Sequence, residues 1–149
     1  MATSTLLQSL NDSDNQSGVT ASNRRQVESF LASEAITAND LVCLDFSKSD
    51  DGDKALYIKQ ADSSDGLTVA GIGFALNTAA AGETCTVTVA GLHVSANVDA
   101  LTAVGDRLKV SATGGRAGIY TNADTVPIIG YAVEADTANV ASVFVIKQF

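Results

Sequence analysis

The chain has 149 residues, 46% hydrophobic and 17% charged, with 17 acidic residues against 9 basic and a formal charge of −8. That length accommodates one domain with a substantial core and hardly two. The acidic balance, with Arg24–Arg25 as the adjacent basic pair, argues against a surface that tracks nucleic-acid phosphates, and no segment approaches the roughly 20 apolar residues of a membrane span.

The first 24 residues are dominated by Ser, Asn, Asp, Gln and Thr and show neither the basic start nor the apolar run of a signal peptide. Such a stretch cannot bury enough surface to offset the ~1–2 kcal/mol per residue that backbone ordering costs. An extended polar arm over 1–24 is therefore expected to gain order on a neighbour's surface, with Arg24 and Arg25 as candidates to pair with that neighbour's carboxylates. The sequence RQVESFLAS (25–33) fits a capping box at Asn23 and Gln26 but alternates at Val27, Ser29 and Leu31, and the strand is the preferred reading.

Further along, ITANDLVCL (36–44) reads as a turn and a strand, SKSDDGDK (47–54) as a polar hairpin loop, and ALYIKQAD (55–62) as a second strand. GIGFA (71–75) is a short apolar strand, and NTAAAGE (77–83) a tight connection, its alanine run limited by Gly82. TCTVTVAGLHV (84–94) alternates more strictly than any other segment and carries near its end His93, the single histidine. Period two places Val87 and Val89 in the core and turns Thr84, Thr86 and Thr88 outward or toward a neighbour. Cys85 shares the valine face, so it and Cys43 are expected as thiols rather than a disulfide.

The last third repeats this order. GIGFALNTAAAGETCTVTV (71–89) aligns with IIGYAVEADTANVASVFVI (128–146) at an offset that places Gly73 on Gly130, Phe74 on Tyr131, Ala75 on Ala132 and Leu76 on Val133. LTAVGDRLKV (101–110) echoes 36–44 with one insertion, SATGGRAG (111–118) echoes the hairpin loop, and GIYTNAD (118–124) echoes 55–62, pairing Tyr57 with Tyr120. The match suggests an internal pseudo-repeat, 36–91 and 101–148, of about 50 residues per copy. Neither half is expected to cover its own apolar face, so the two should close against each other as a small all-β barrel of two similar half-barrels. The same alignment assigns Phe144 and Ile146 to the common core. The predicted organisation is an arm over 1–24 and a barrel domain over 25–149.

No catalytic constellation emerges. His93 has no second histidine or other partner at a recognisable spacing. Asp50, Asp51 and Asp53 around Gly52 could offer oxygens to Ca²⁺, but no bidentate acid closes the loop, and a solvated hairpin tip is preferred. GIGFA and ATGGRAG lack the following helix of a phosphate loop, and GETCT lacks the serine of a nucleophile elbow. No catalytic, cofactor or metal residue is assigned, and no cofactor is expected.

GIGFAL (71–76), AAAGE (79–83), VTVAG (87–91), TAVGDRL (102–108) and IIGYAVE (128–134) together resemble the head-decoration, or cement, proteins of tailed phages with a β-tulip-like barrel, over residues 27–149. The resemblance implies a non-enzymatic virion protein, made in the host cytoplasm, that sits on the outer capsid surface and bridges neighbouring major capsid proteins. Its implied partners are the major capsid protein and further copies of itself, as a trimer or other small homo-oligomer, with neither nucleic acid nor membrane. Arg24 and Arg25 would then be capsid-contact candidates. Other readings are a head-fibre base or tail-associated β-module, or a carbohydrate-binding module using Tyr57 and Tyr120 as sugar platforms.

Overall fold

The computed structural model describes residues 25–65 and 70–148; the arm over 1–24, including Arg24, lies outside the described residues. Nine strands run in chain order: β1 (Gln26–Ala32), β2 (Leu41–Leu44), β3 (Tyr57–Gln60), β4 (Gly71–Ala75), β5 (Thr84–Asn97), β6 (Arg107–Val110), β7 (Ala117–Ile119), β8 (Gly130–Ala132) and β9 (Val140–Val145). One short helix, α1 (Asp51–Leu56), and a 3-10 turn at Ser63–Asp65 complete the secondary structure of the described residues. The fold is all-β, as the alternation of Val and Thr leads one to expect.

The strand order is β1-β3-β2-β4-β5-β9-β8-β6-β7, and a further β1–β5 pairing closes the first five strands into a barrel. The β1 strand is antiparallel to β5, with Phe30 opposite Cys85, and parallel to β3, with Ala32 beside Ile58. Strands β5, β9, β8, β6 and β7 form the second lobe, where a parallel bridge from Val98 to Ala117 returns β7 to the end of β5. The 14-residue β5 belongs to both lobes: its first half pairs with β1 and β4, its second with β9. At the domain's ends, Lys147 just past β9 forms an ion pair with Glu28 of β1 at 3.6 Å.

The pairing pattern is the same in both lobes. The first half of β5 flanked by β1 and β4 corresponds to β9 flanked by the second half of β5 and β8. Corresponding turns match atom for atom. Asp40 Oδ2 accepts from Thr37 N at 2.9 Å and Asp106 Oδ2 from Ala103 N at 2.8 Å, while Asn39 N and Gly105 N each donate to a carbonyl of β4 or β8, those of Ala75 and Ala132. Asn39 and Gly105 both adopt positive φ, 75° and 86°, where glycine is at ease and asparagine tolerated.

Two apolar clusters divide the interior. Phe30, Ile36, Val42, Ile58, Ile72, Val87 and Val89 fill the closed first barrel. In the second cluster, Leu108, Ile129, Val143 and Val145 of the C-terminal lobe pack with Leu41, Cys43 and Phe74, which stand on the opposite face of β2 and β4 from Val42 and Ala75. The first lobe thus closes on itself and presents its outer face as a plug for the second. The apolar demand met between halves is that of the C-terminal lobe.

Four local expectations are corrected. Phe144 is 40% exposed and Ile146 half-buried, whereas Val143 and Val145 are buried. Ala75 pairs with Val87, but Ala132 pairs with Val143, so the second connection is one residue shorter and the alternation slides to the other face. Thr88 is fully buried rather than outward, because the second lobe covers that face of β5; Thr84 is exposed and Thr86 half-buried. Tyr57 and Tyr120 are not counterparts: Ile58 lies beside Ala32 as Ala117 lies beside Val98, which makes Arg116 the residue of the second lobe equivalent to Tyr57. The loop at 47–54 also differs in kind, since Asp50 caps α1 by accepting from Gly52 N at 2.8 Å and Lys54 pairs with Asp51. Capping and first-turn acids favour helix there over an open hairpin tip.

Candidate functional site

His93 lies at the seam between lobes. It is 1% exposed, stacked on Phe74 with ring centroids 5.3 Å apart, and its ring nitrogens lie 3.1 Å from Thr88 Oγ1 and 3.2 Å from Asn39 Oδ1. Burial, aided by the charge of Arg25, depresses its pKa from 6.5 to about 4, so the ring is neutral at neutral pH. Both nitrogens are committed to structural partners. The histidine joins walls.

Beside it, Asp40 anchors the seam. Its carboxylate accepts from Gln60 Nε2 at 2.6 Å, Asn97 Nδ2 at 2.9 Å and Thr37 N, which links residues of both lobes. Leu41 N donates to Gly115 O at 2.7 Å, and Gly115 N donates to Ala61 O at 3.1 Å. The bonds from Asn97 to Asp40, Leu41 to Gly115 and Gly115 to Ala61 hold the lobes together.

The remaining candidates do not converge. Asp50 and Asp51 serve α1, and among the described residues no group of three or more His, Cys, Asp or Glu could hold a metal ion. Cys43 and Cys85 are both buried thiols; burial, with the nearby charge of Asp40, raises the pKa of Cys85 and keeps it unreactive. Lys48 Nζ lies 4.4 Å above the ring of Tyr57, and the Arg107 guanidinium 4.9 Å above that of Tyr120. Each tyrosine therefore has one face covered by a cation. Arg25 is exposed at the start of β1, so it is free of the core.

Two surface features were not legible in the sequence. One is a polar cleft of about 610 Å³ lined by Ser63, Asp99, Lys109, Thr113, Arg116 and Asn139, among others. Lys109 is engaged there by Asp124, whose carboxyl this bond holds down at about 2, and Asp99 accepts from Ser111 Oγ at 2.7 Å. The other is an apolar row across the outer face of the second lobe. Leu92, Phe144, Tyr131 and Arg107 are successive cross-strand partners on β5, β9, β8 and β6, and Phe144 and Tyr131 are 40% and 42% exposed. The slipped register of β9 creates this row, and no pattern within 140–146 alone reveals it.

Residues 21–147 match the family described as phage cement protein. No curated protein matches the chain. Among solved structures, the fold resembles the N base of the head fibre gp8.5 of bacteriophage phi29, with a TM-score of 0.54 and 17% sequence identity over 82% of this chain and 94% of that one. The family match spans both lobes and the seam that unites them, and with it this double-lobed chain belongs to the phage cement proteins, structural proteins of the phage capsid.

Proposed function

We propose that the protein binds the outer surface of a phage head and stabilises it by bridging neighbouring major capsid proteins. The observation that carries this reading is the family match across the whole described domain. It accords with a domain whose single histidine and buried Asp40 carboxylate are spent on internal bonds. The shared pairing order of the two lobes supports an origin by internal duplication, with residues 25–149 as the domain and 1–24 as an attached arm.

The arm is the clamp in this reading. Its many hydrogen-bonding side chains suit it to lie along a capsid neighbour, and Arg24 and Arg25 pair with carboxylates there. Contacts that are weak singly add up when one subunit, or a small homo-oligomer, spans two capsid proteins. Deleting residues 1–24 is expected to leave the melting temperature nearly unchanged and to abolish attachment to heads. Full occupancy of heads by the truncated protein, seen by cryo-electron microscopy, would remove the arm from the mechanism. A head-fibre base is the second reading, favoured by the likeness to the phi29 fibre base. Density projecting well beyond the barrel on imaged virions would support the fibre base, and density flush against the shell the cement.

A further inference from the structure

The two lobes share one pairing pattern but differ in what covers their outer faces. In the first lobe, Val27, Thr88, Phe74 and Leu41 are successive partners across β1, β5, β4 and β2. The corresponding row in the second lobe is Leu92, Phe144, Tyr131 and Arg107, across β5, β9, β8 and β6. Thr88, Phe74 and Leu41 are fully buried, because the second lobe's Leu108, Ile129, Val143 and Val145 close over this face. Among the described residues no third lobe covers Phe144 and Tyr131, which are among the exposed large side chains, with Val133, at 45% exposure, beside them.

We propose that this row is the contact face for a capsid subunit, which covers it as the second lobe covers Leu41, Phe74 and Thr88. The proposal rests on the capsid-binding reading and adds the surface. Two nearer occupants fit worse. A second copy cannot repeat the internal contact, because the apolar inner face that would receive the row is filled in each copy by its own first lobe. The chain's own arm offers only Leu6, Leu7, Leu10 and Val19 as large aliphatic side chains among some twenty polar and small residues, a poor cover for a flat aromatic row.

The chemistry of the partner follows from the row's end. Arg107 donates to Asn122 Oδ1 at 2.8 Å and lies over the Tyr120 ring, and it has no carboxylate partner among the described residues. In a protein of charge −8, an unneutralised arginine bordering an exposed aromatic pair marks where an acidic group belongs. The matching capsid surface is apolar at its centre, with an Asp or Glu at its rim opposite Arg107.

The test uses heads assembled without this protein and the full chain carrying Tyr131→Thr with Phe144→Thr. Threonine is a good strand residue and is what the first lobe has at the position of Phe144. The double variant should melt with the wild type and bind heads at least about tenfold more weakly, as loss of central aromatic anchors does. Arg107→Glu should weaken binding comparably and Arg107→Lys much less. If the double variant does not fold, Tyr131→Thr alone gives the same reading. Undiminished binding by a folded variant overturns the proposal while leaving the capsid reading in place. Failure of the wild type to bind overturns both. A variant that loses self-association in sedimentation yet still coats heads would make the occupant a second copy, which also overturns it.

Discussion

A methyl group added at Gly73 should disrupt the first barrel more than its size suggests. An ideal Cβ there would lie 2.1 Å from the carbonyl oxygen of Thr88 and 2.9 Å from Val87 Cγ1. The oxygen is backbone and cannot swing aside, so β4 must move from β5 by about 1 Å to restore ordinary contact. That shift would stretch the 2.7 Å bond from Leu76 N to Thr86 O out of range along with its neighbours. Two or three bonds at ~1 kcal/mol each, with ~1–3 kcal/mol of overpacking, give a loss of about 3–6 kcal/mol. For a domain of this size the melting temperature should fall by roughly 10–20 °C. Gly130→Ala, whose Cβ would meet Phe144 O at 2.4 Å, should follow with a somewhat smaller fall. Gly82→Ala is the control: its φ is +85° with nothing within 4 Å, so it should lose only the ~1–2 kcal/mol of left-handed strain. Calorimetry on the three variants decides. If Gly73→Ala melts no lower than Gly82→Ala, close strand approach is not what requires the glycine.

Other expectations concern the seam and the faces beside it. His93 has a folded pKa of about 4, below its unfolded value near 6.5, so the unfolded chain takes up its proton first as pH falls. The stability it confers is complete above pH 6.5 and is lost on descent toward 4, about 2 kcal/mol of it between pH 7 and pH 5. Urea titrations should show that slope in the wild type and its absence in His93→Leu; equal slopes would refute it. Phe74→Ala should cost ~3–5 kcal/mol because its ring fills the second lobe's core, whereas Phe144→Ala should stay within about 1 kcal/mol; thermal melts in the reverse order would invalidate the observed register of β9. Asp40→Ala strands the Gln60 and Asn97 amides and should cost about 3 kcal/mol by chemical denaturation; a neutral result would mean water replaces the carboxylate.

What the sequence revealed depended on how far each signal reached. Alternation within β5 was readable because one face carries Cys85, Val87 and Val89, and period two acts within a single strand. Gly73 and Gly130, aligned in the sequence, each meet a neighbouring carbonyl at close range. Extending that offset through the following turn failed, because a one-residue difference in loop length is silent in composition and reverses every side chain beyond it. Tyr57 and Tyr120 misled for a related reason: two aromatics near the same short motif looked like partners, whereas parallel pairing to distant strands fixes their places. The acidic run at 47–54 carried its own helix signal in Asp50 and Lys54, outweighed by the expectation of a hairpin. The exposed row on the second lobe was the least accessible, since it depends on register across four strands and on which lobe lacks a cover. His93, by contrast, gave its structural role away through its solitude.

The ion pair between Lys147 and Glu28 brings the two ends of the domain side by side. Anything spliced after Gln148 leaves from the same pole as the segment entering at Arg25. If that pole faces the shell, a cargo peptide appended there would be trapped beneath the barrel, while one inserted at the exposed 47–54 loop would be free for display. The same proximity makes the ends joinable. A circular permutant linking residue 148 to residue 26 and opened within 47–54 keeps every strand partner it began with. It should therefore fold, and with the arm severed from its barrel it would separate tethering from architecture in a single polypeptide.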